Sequence, residues 1–303
     1  KWLTLRTSFG ADVYNQLIKD ISRKTYERAE NQGTTQLTET AIASIDWTWT
    51  NTMTLQKTFA NVHDVKLLVG TEAIKRYFRQ TNAFGQNFDL DNADFISLSN
   101  AGTASGDRNV GQNAENITTI FSQFGRLDYA FKNRYLVYGT IRRDEASVFG
   151  QENRVGYFPS VGFVWRISEE DFMKSLTWIT DLKIRGGYGE VGSLSNNSPF
   201  NPFSTYRTGP GFGNYDLNGT NTSAFLGYRQ NTRGNELTKW ETTVSKNIGL
   251  DLTLLNGKWV FDFNLFQNDT KDLLIPRNRI NTEPIVGQPN ENIGTMRNTG
   301  VEF

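Results

Sequence analysis

The feature that most constrains this chain is a two-residue alternation of apolar and polar side chains. From Trp259 to Leu265 the odd positions are Trp, Phe, Phe and Leu, whereas the even positions include Asp262 and Asn264. Because successive side chains of a β-strand point to opposite faces, this pattern predicts strands with one apolar and one polar face. The same alternation recurs in residues 45–55, 161–167, 182–188 and 248–254.

The alternation predicts about ten strands and almost no helix. Several of these strands are long enough to cross a bilayer at a tilt, which takes roughly 9–11 residues. One short helix is expected from Ser168 to Lys174, with Ser168 as its N-cap. The predicted strands are residues 1–9, 40–58, 64–80, 117–131, 135–147, 156–167, 180–190, 240–255, 258–272 and 295–303.

The predicted connections alternate between short turns and long polar loops. Asn256-Gly257 between two alternating runs is a strong hairpin signal. Short turns at one end and long loops at the other are typical of outer-membrane β-barrels. The long loops are expected near residues 10–39, 81–116, 191–239 and 273–294.

Aromatic residues concentrate near the predicted strand ends. They fit the aromatic girdles of a membrane barrel, and equally fit strand residues that pack on an ordinary core. The residues concerned are Trp49, Tyr77, Phe78, Tyr129, Phe131, Tyr135, Phe158, Trp240 and Trp259.

The composition excludes several classes of function. With 32 basic and 32 acidic residues the net charge is zero, so nucleic acid is not expected as a partner. The absence of cysteine excludes disulfides and thiolate metal sites. His63 is the one histidine. It is expected in an exposed turn with a structural role, so neither a catalytic residue nor a cofactor is predicted.

Mean hydropathy is −0.52, which taken alone indicates a soluble protein. A barrel strand, however, presents only one face to lipid, so an apolar band can average with a wet lumen and polar loops to a hydrophilic value. A soluble β-sandwich, such as a carbohydrate-binding module, is the alternative that the residues leave open.

A series of motifs between residues 127 and 302 resembles the SusC/RagA family of TonB-dependent outer-membrane transporters from Bacteroidota. The motifs include Arg142-Arg143-Asp144, Gly156-Tyr157-Phe158-Pro159-Ser160, Trp165-Arg166-Ile167-Ser168-Glu169-Glu170, Lys239-Trp240-Glu241-Thr242-Thr243 and Asn292-Ile293-Gly294. The resemblance covers most of residues 120–303 and is looser over 1–116. Asp144-Glu145-Ala146-Ser147-Val148 stands where many family members have Arg-Asp-Gly-Ser-Ser.

The resemblance implies an all-β, antiparallel transmembrane barrel of about 22 strands closed around a plug domain. Residues 1–303 would form a single partial barrel domain of about ten strands, with the plug and the remaining strands outside this chain. The implied location is the outer membrane, in contact with the lipid bilayer and lipopolysaccharide. Implied partners are a SusD-like surface lipoprotein and the TonB–ExbB–ExbD complex, which would act through a region outside this chain.

The resemblance also implies the import of oligomeric nutrients, either glycans or peptides. The alternative within TonB-dependent transport is a siderophore or a vitamin. Aromatic side chains in the 191–239 loop could contact such a ligand, or could only pack the loop on itself or on a lid protein. The candidate substrate-binding residues are Phe200, Phe203, Tyr206, Phe212 and Tyr215.

Two further groups of charged residues are candidates for function. The first would line the lumen, where charges mostly pair with each other or with the plug and less often contact substrate. It comprises Arg126, Asp128, Arg142, Asp144, Arg166, Lys183 and Arg185, together with Asp262. The second is Asp89, Asp91 and Asp94, whose spacing could hold Ca²⁺ but more closely fits a solvated acidic loop, since the glycine and terminal glutamate of an EF-hand are absent.

Overall fold

The computed structural model of the chain describes residues 2–25, 33–90, 92, 94–194, 200–209, 213–216, 219, 225–277 and 287–303. Its strands are β1 Leu3–Ser22, β2 Gln36–Phe59, β3 His63–Gln86, β4 Arg108–Phe131, β5 Tyr135–Ala146, β6 Val155–Arg166, β7 Ile179–Ser193, β8 Thr205–Arg207, β9 Arg229–Thr232, β10 Glu241–Leu254, β11 Trp259–Pro276 and β12 Asn290–Glu302. Short 3-10 turns occur at Leu98–Asn100, Gln151–Asn153, Ile167–Glu169 and Asp171–Met173. In this part of the chain no helix has the length and apolar character to cross a membrane.

The ten predicted strands form one ten-stranded sheet, but several are longer than expected. The prediction of a loop from residue 10 was wrong, because β1 continues to Ser22. Likewise β3 continues to Gln86, and β4 begins at Arg108. The side chains of these extensions do not alternate between apolar and polar, because both faces of the strand are largely polar or exposed. Hydrophobic periodicity cannot predict a strand of this kind, which is held by backbone pairing. The small β8–β9 hairpin inside the 191–239 loop was not predicted either.

The chain divides into two compact units. The first consists of Lys1–Ser8, Thr50–Ala73 and Ile120–Phe303, and the second of Phe9–Trp49 and Ile74–Thr119. In the first unit the strand order is β1-β2-β3-β4-β5-β6-β7-β10-β11-β12. Each neighbouring pair from β4 to β12 is antiparallel.

The second unit contains the remaining segments of β1 to β4 and the loop between β3 and β4. Asp107 is buried in that loop and accepts hydrogen bonds from Asn87 Nδ2 at 2.7 Å and from the Ala104 amide at 3.2 Å. Lys19 Nζ donates to the carbonyl oxygen of Ile96 at 2.6 Å. These polar contacts fold the loop back on the strands over a small buried apolar set, which is Leu37, Ile96 and Ala101.

In the first unit the strand register keeps side chains of one kind on one side of the sheet. One row across neighbouring strands consists of Asp128, Tyr138, Gly162, Gly187, Asn247, Phe266 and Gly300, and we call this side the polar face. A row on the opposite side consists of Tyr135, Trp165, Ile184, Leu250 and Phe263, and we call that side the apolar face. The predicted separation of apolar and polar positions is therefore confirmed across these strands.

A hydrophobic cluster closes the long-loop end of β5, β6 and β10. Phe149 is completely buried, and its ring centroid lies 5.1 Å from that of Trp240. Phe158 meets Trp240 edge-on at 5.4 Å. Of the two interpretations left open for the strand-end aromatics, Phe158 and Trp240 follow the second, because both rings pack in a buried cluster with residues of the loop after β5.

Asn201 links the two long loops next to this cluster. Its Nδ2 donates to Thr238 Oγ1 at 2.7 Å, and its Oδ1 accepts from the Asn290 amide at 2.9 Å. Its carbonyl oxygen accepts from the Asn235 amide at 2.7 Å. The base of the 191–239 loop is thus fixed to the start of β12 by hydrogen bonds to a buried amide.

Gly150 is where two loop backbones come closest. Its φ of −58° suits any residue, but a Cβ at this position would lie 2.4 Å from the carbonyl oxygen of Glu236. We therefore expect Gly150→Ala to lower the free energy of unfolding in detergent micelles by about 1–3 kcal/mol, since backbone rather than a mobile side chain must move. Urea titration measures this change.

Gly139→Ala is the matched control for that substitution. Its Cβ would meet its nearest neighbour, the Ser160 carbonyl oxygen, at an ordinary 3.8 Å. We expect a change within about 0.5 kcal/mol for the control. Equal effects of the two substitutions would contradict the proposed close contact.

Candidate functional site: the polar face and the loop aromatics

The charged residues predicted to line a lumen all lie on the polar face. Direct cross-strand neighbours show this: Lys183 lies opposite both Arg166 and Asp251, and Asp251 lies opposite Asp262. The residues on this face are Arg126, Asp128, Arg142, Asp144, Arg166, Lys183, Arg185 and Asp262. Their common side confirms the predicted strand parity, while their contact with a substrate stays a prediction.

Arg142 is the centre of one group on the polar face. Its guanidinium contacts Glu72 Oε1 at 2.8 Å and Asp144 Oδ1 at 2.7 Å, and it donates to Ser122 Oγ at 2.8 Å. It also lies over the ring of Phe124, 5.4 Å from the centroid. One cation therefore bridges two carboxylates and ties β3, β4 and β5 together through their side chains.

Arg185 is the centre of a second group. It contacts Asp251 at 3.1 Å and Asp262 at 3.1 Å, while Lys183 contacts the other oxygen of Asp251 at 3.1 Å. Two cations and two carboxylates make this group neutral. Arg126 pairs with Asp128 at 2.6 Å. Most charged side chains of the polar face are thus paired with opposite charges in the same sheet, as expected for a hydrated surface.

Glu72 and Asp251 were not among the predicted site residues. Asp251 lies on the polar side of the alternation in residues 248–254, so strand parity could have found it. Glu72 lies where β3 loses its alternation, and only the contact with Arg142 identifies it.

Tyr138 lies flat against the polar face. A Cβ on Gly162 of the next strand would be 2.2 Å from Tyr138 Cζ, so glycine is required beneath this ring. Arg126 covers the opposite side of the ring at 4.8 Å. The largest side chain in this row therefore rises little above the sheet.

The apolar face is exposed in the described part of the first unit. Val137 and Phe163 are each 47% exposed although both are hydrophobic and lie mid-strand. The same holds for Leu127, Ile141, Val161, Ile248, Leu250, Phe263, Leu265 and Val301. A contiguous exposed apolar surface of this kind marks an interaction with a membrane or a partner.

Aromatic rings line the short-turn end of the apolar face. His63 lies 5.0 Å from Phe131, which lies 6.3 Å from Tyr135, which in turn lies 6.4 Å from Trp165. Trp259 and Phe261 stack at 6.3 Å. This row agrees with the girdle interpretation for Tyr129, Phe131, Tyr135 and Trp259.

His63 is half-buried in this row rather than exposed as predicted. Its Nδ1 lies 2.8 Å from the Tyr129 hydroxyl, and its ring stacks on Tyr129 at 6.1 Å. Its environment is aromatic, in keeping with the expected structural role.

The candidate ligand-binding aromatics are exposed on the 191–239 loop. Phe200, Phe203, Tyr206 and Tyr215 are each at least half exposed. Tyr206 lies in β8 opposite Gln230, and Tyr215 stacks on Phe225 at 6.4 Å. Phe212 lies outside the described residues. The loop therefore presents aromatic faces beside amide and hydroxyl groups, the combination expected for a sugar or peptide site.

The described residues of the acidic loop form no cation-binding site. Asp89 and Asp94 are exposed, and Asp91 lies outside the described residues. The described part of the chain contains no group of three or more His, Cys, Asp or Glu side chains that could hold a metal ion. The calcium site stays a prediction for this trio.

Comparison with known proteins agrees with this geometry. A family model described as TonB dependent receptor-like, beta-barrel matches residues 2–303. The chain belongs to this family.

The TonB-dependent receptor P26 of Formosa agariphila is 30% identical over 315 residues, which cover 100% of this chain and 29% of that protein. The TonB-dependent receptor SusC of Bacteroides thetaiotaomicron is 35% identical over 189 residues, or 61% of this chain and 18% of SusC. The solved RagAB peptide transporter superposes with a TM-score of 0.85 at 24% identity, covering 99% of this chain and 32% of that chain.

The chain thus spans less than a third of the relatives that it matches. The predicted SusC/RagA resemblance and the predicted fold, a portion of an antiparallel transmembrane β-barrel, are both confirmed. In a barrel wall of this family, the apolar side of each strand generally faces lipid and the polar side faces the lumen.

Glu170 holds the short turn of this barrel wall against the aromatic row. Its carboxylate accepts from the Tyr135 hydroxyl at 2.6 Å, from Trp165 Nε1 at 3.1 Å and from Arg134 Nη1 at 3.0 Å. Only 8% of Glu170 is exposed. One carboxylate in the turn after β6 thereby holds the polar atoms of two aromatic side chains.

The short helix predicted for this turn was wrong. Two 3-10 turns replace it, and Ser168 donates its hydroxyl to Asp181 at 3.1 Å rather than capping a helix. The chain here follows the contacts of Glu170 instead of the local helix signal.

Hydrogen bonds from Tyr135 and Trp165, aided by the charge of Arg134, hold the pKa of Glu170 below its ordinary value of 4.5. A lowered folded-state pKa stabilises the fold above pH 4.5, and this contribution is lost as pH falls through the folded-state pKa. We expect Glu170→Gln to be less stable than the wild type between pH 5 and 7, with the gap closing below pH 4.5. Urea midpoints in micelles across this pH range measure the effect.

Glu152→Gln, which changes an exposed glutamate in the Gln151–Asn153 turn, is the control and should leave the midpoint nearly unchanged. A gap for Glu170→Gln that stays constant down to pH 3 would contradict the role of the charge.

Proposed function

We propose that this chain forms part of the wall of an outer-membrane importer driven by TonB. The observation that carries the proposal is the sheet with an exposed apolar face opposite a polar face whose charges pair within the sheet. Leaving such an apolar surface in water is unfavourable by roughly 25 cal/mol per Å², whereas a bilayer covers it. The arrangement suits a wall between lipid and an aqueous passage.

The alternative of a soluble β-sandwich requires a second sheet on the apolar face. Among the described residues the other sheet is the two-stranded β8–β9 hairpin, and the mid-strand residues of the apolar face stay exposed. An enzyme is not proposed, since the family is one of receptors and the polar face pairs its charges internally.

We further propose that the cargo is an oligomeric nutrient, a glycan or a peptide, captured with a SusD-like surface lipoprotein. The likeness to SusC favours this cargo over a siderophore or vitamin, and the solved RagAB protein is named a peptide transporter. Energy would come from TonB–ExbB–ExbD through a region outside this chain. Lipid and lipopolysaccharide would surround the apolar face.

The 191–239 loop is the proposed capture element on this chain. Phe203 and Tyr206 lie close in sequence, both expose more than half of their surface, and Ser204 and Gln230 provide polar groups beside them. Asn201 fixes the base of the loop, so the aromatic faces are presented on an anchored support.

We expect the double substitution Phe203→Ala and Tyr206→Ala to lower cargo uptake at limiting concentration by about tenfold, because each stacked aromatic contributes about 0.5–1.5 kcal/mol. The measurement is uptake of a fluorescent oligosaccharide or peptide by cells expressing each variant at equal surface level.

Phe172→Ala is the matched control, since Phe172 is 66% exposed but lies in the short turn of Asp171–Met173 at the other end of the strands. Uptake should be unchanged in this variant. An unchanged rate in the double variant would remove the loop from the capture site, and release of the wild-type protein by salt without detergent would overturn the membrane assignment.

A further inference from the structure

A groove of about 850 Å³ crosses the apolar face over β1 to β6 of the first unit. Its centre is Gly125, which lies opposite Ile141 and leaves a gap where neighbouring strands carry side chains. The apolar lining residues are Leu5, Met53, Val69 and Ile141. This volume lies within the range of small-molecule sites, roughly 300–1,000 Å³.

One end of the groove is polar. In the row next to Gly125, on the side of the long loops, Gln123 lies opposite Arg143, and Arg143 lies opposite Tyr157. Asn51 and Thr7, joined by a 2.7 Å hydrogen bond, line the groove as well. The side chains that line the groove therefore change from aliphatic to hydrogen-bonding between one cross-strand row and the next.

Arg143 places a cation on the apolar face near the long-loop end of β5. Its Nη2 contacts Glu145 Oε2 at 3.0 Å, and the Glu145 side chain is 43% exposed. An exposed ion pair of this kind contributes little to stability, so its guanidinium can exchange a carboxylate for another anion at small cost. A guanidinium matches the oxygens of phosphate in a bidentate geometry.

We propose that this groove binds one phosphorylated glycolipid of the outer leaflet, with acyl chains over Gly125 and a phosphate at Arg143. The inference rests on the proposed outer-membrane location, in which the long-loop end faces outward. Three observations carry it: the apolar end continues the lipid-facing surface, the polar end lies at the boundary of that surface, and a cation stands at that boundary.

A second copy of the chain is the competing occupant of the groove. A dimer interface would be expected to bury complementary side chains, whereas here a missing side chain at Gly125 leaves an open recess beside hydrogen-bonding groups. The shape and the charge both fit an amphiphile with an anionic head better than a flat protein surface.

The test uses the full-length transporter purified from outer membranes and exchanged into neutral detergent. The probes are bisphosphorylated lipid A and the same lipid after removal of its phosphates, titrated and counted per protein by native mass spectrometry. The variants are Arg143→Gln and Gly125→Leu. A Cβ at Gly125 has its nearest neighbours at 3.9 Å, so leucine can fill the groove without backbone movement.

Gly139→Leu is the matched control. Gly139 also lies on the apolar face, opposite Leu127 and Val161, and a Cβ there has its nearest neighbour at 3.8 Å, but it does not line the groove. The control adds the same bulk to the same surface one strand away.

We expect the wild type and Gly139→Leu to bind lipid A about tenfold more tightly than the dephosphorylated lipid. Arg143→Gln should remove this preference, and Gly125→Leu should weaken binding of both lipids by about fivefold or more. Equal binding of the two lipids by the wild type would overturn the proposal, as would a wild-type dimer that Gly125→Leu dissociates.

Lipid binding in detergent and cargo uptake in cells are separate measurements. A wild type that shows no lipid preference but normal uptake would overturn this inference alone, whereas a wild type that shows the lipid preference but no uptake would overturn the proposed function alone.

Discussion

The structure depends on backbone pairing that holds its register from strand to strand. Because side chains alternate with a period of two residues, a slip of one residue between two strands would move every side chain of one strand to the other face. From β4 to β6 the register runs without a shift; beyond it, one shift lies at the Thr253–Leu254 end of β10 and others lie within the β11–β12 pairing, between Thr270 and Leu274. The separation of the polar and apolar faces follows from this continuity.

The two faces solve different physical problems. On the polar face, Arg142 bridges Asp144 on its own strand and Glu72 on β3, and Arg185 bridges Asp251 on β10 and Asp262 on β11, so these charges are paired within the sheet. Such pairs add modest stability in a hydrated lumen, but they leave few uncompensated charges to trap a passing solute. The apolar face instead exposes hydrophobic side chains, which is the character of the side that lipid covers in a barrel wall.

The two ends of the strands are also built differently. At the short-turn end Glu170 binds the polar atoms of Tyr135 and Trp165, so the aromatic row is ordered by one carboxylate. At the long-loop end Phe149 and Trp240 form a buried cluster, and Asn201 ties the loop base to β12. The loop that carries the exposed aromatic side chains is thereby anchored on a packed base.

Prediction from the sequence succeeded where a local pattern has one physical meaning. Alternation at 259–265 and the Asn256-Gly257 turn could be read directly, since each reflects a constraint within a few residues. It failed where tertiary contacts prevail. Residues 10–22 form a strand through pairing that no side-chain pattern marks, and Phe158 and Trp240 are enclosed by a loop whose path the sequence does not display.

The sequence by itself determined the all-β class, the strand parity and the common face of the charges in the alternating strands, because these follow from a period of two residues. Only the tertiary structure decided which charges pair, that Glu170 organises the short turn, and that Gly125 opens a groove beside Arg143. The physical reason is that the decisive contacts, such as Arg142 with Glu72 and Glu170 with Tyr135, join residues far apart in the sequence. Their distances depend on register and on strand order, and neither is encoded within any one segment.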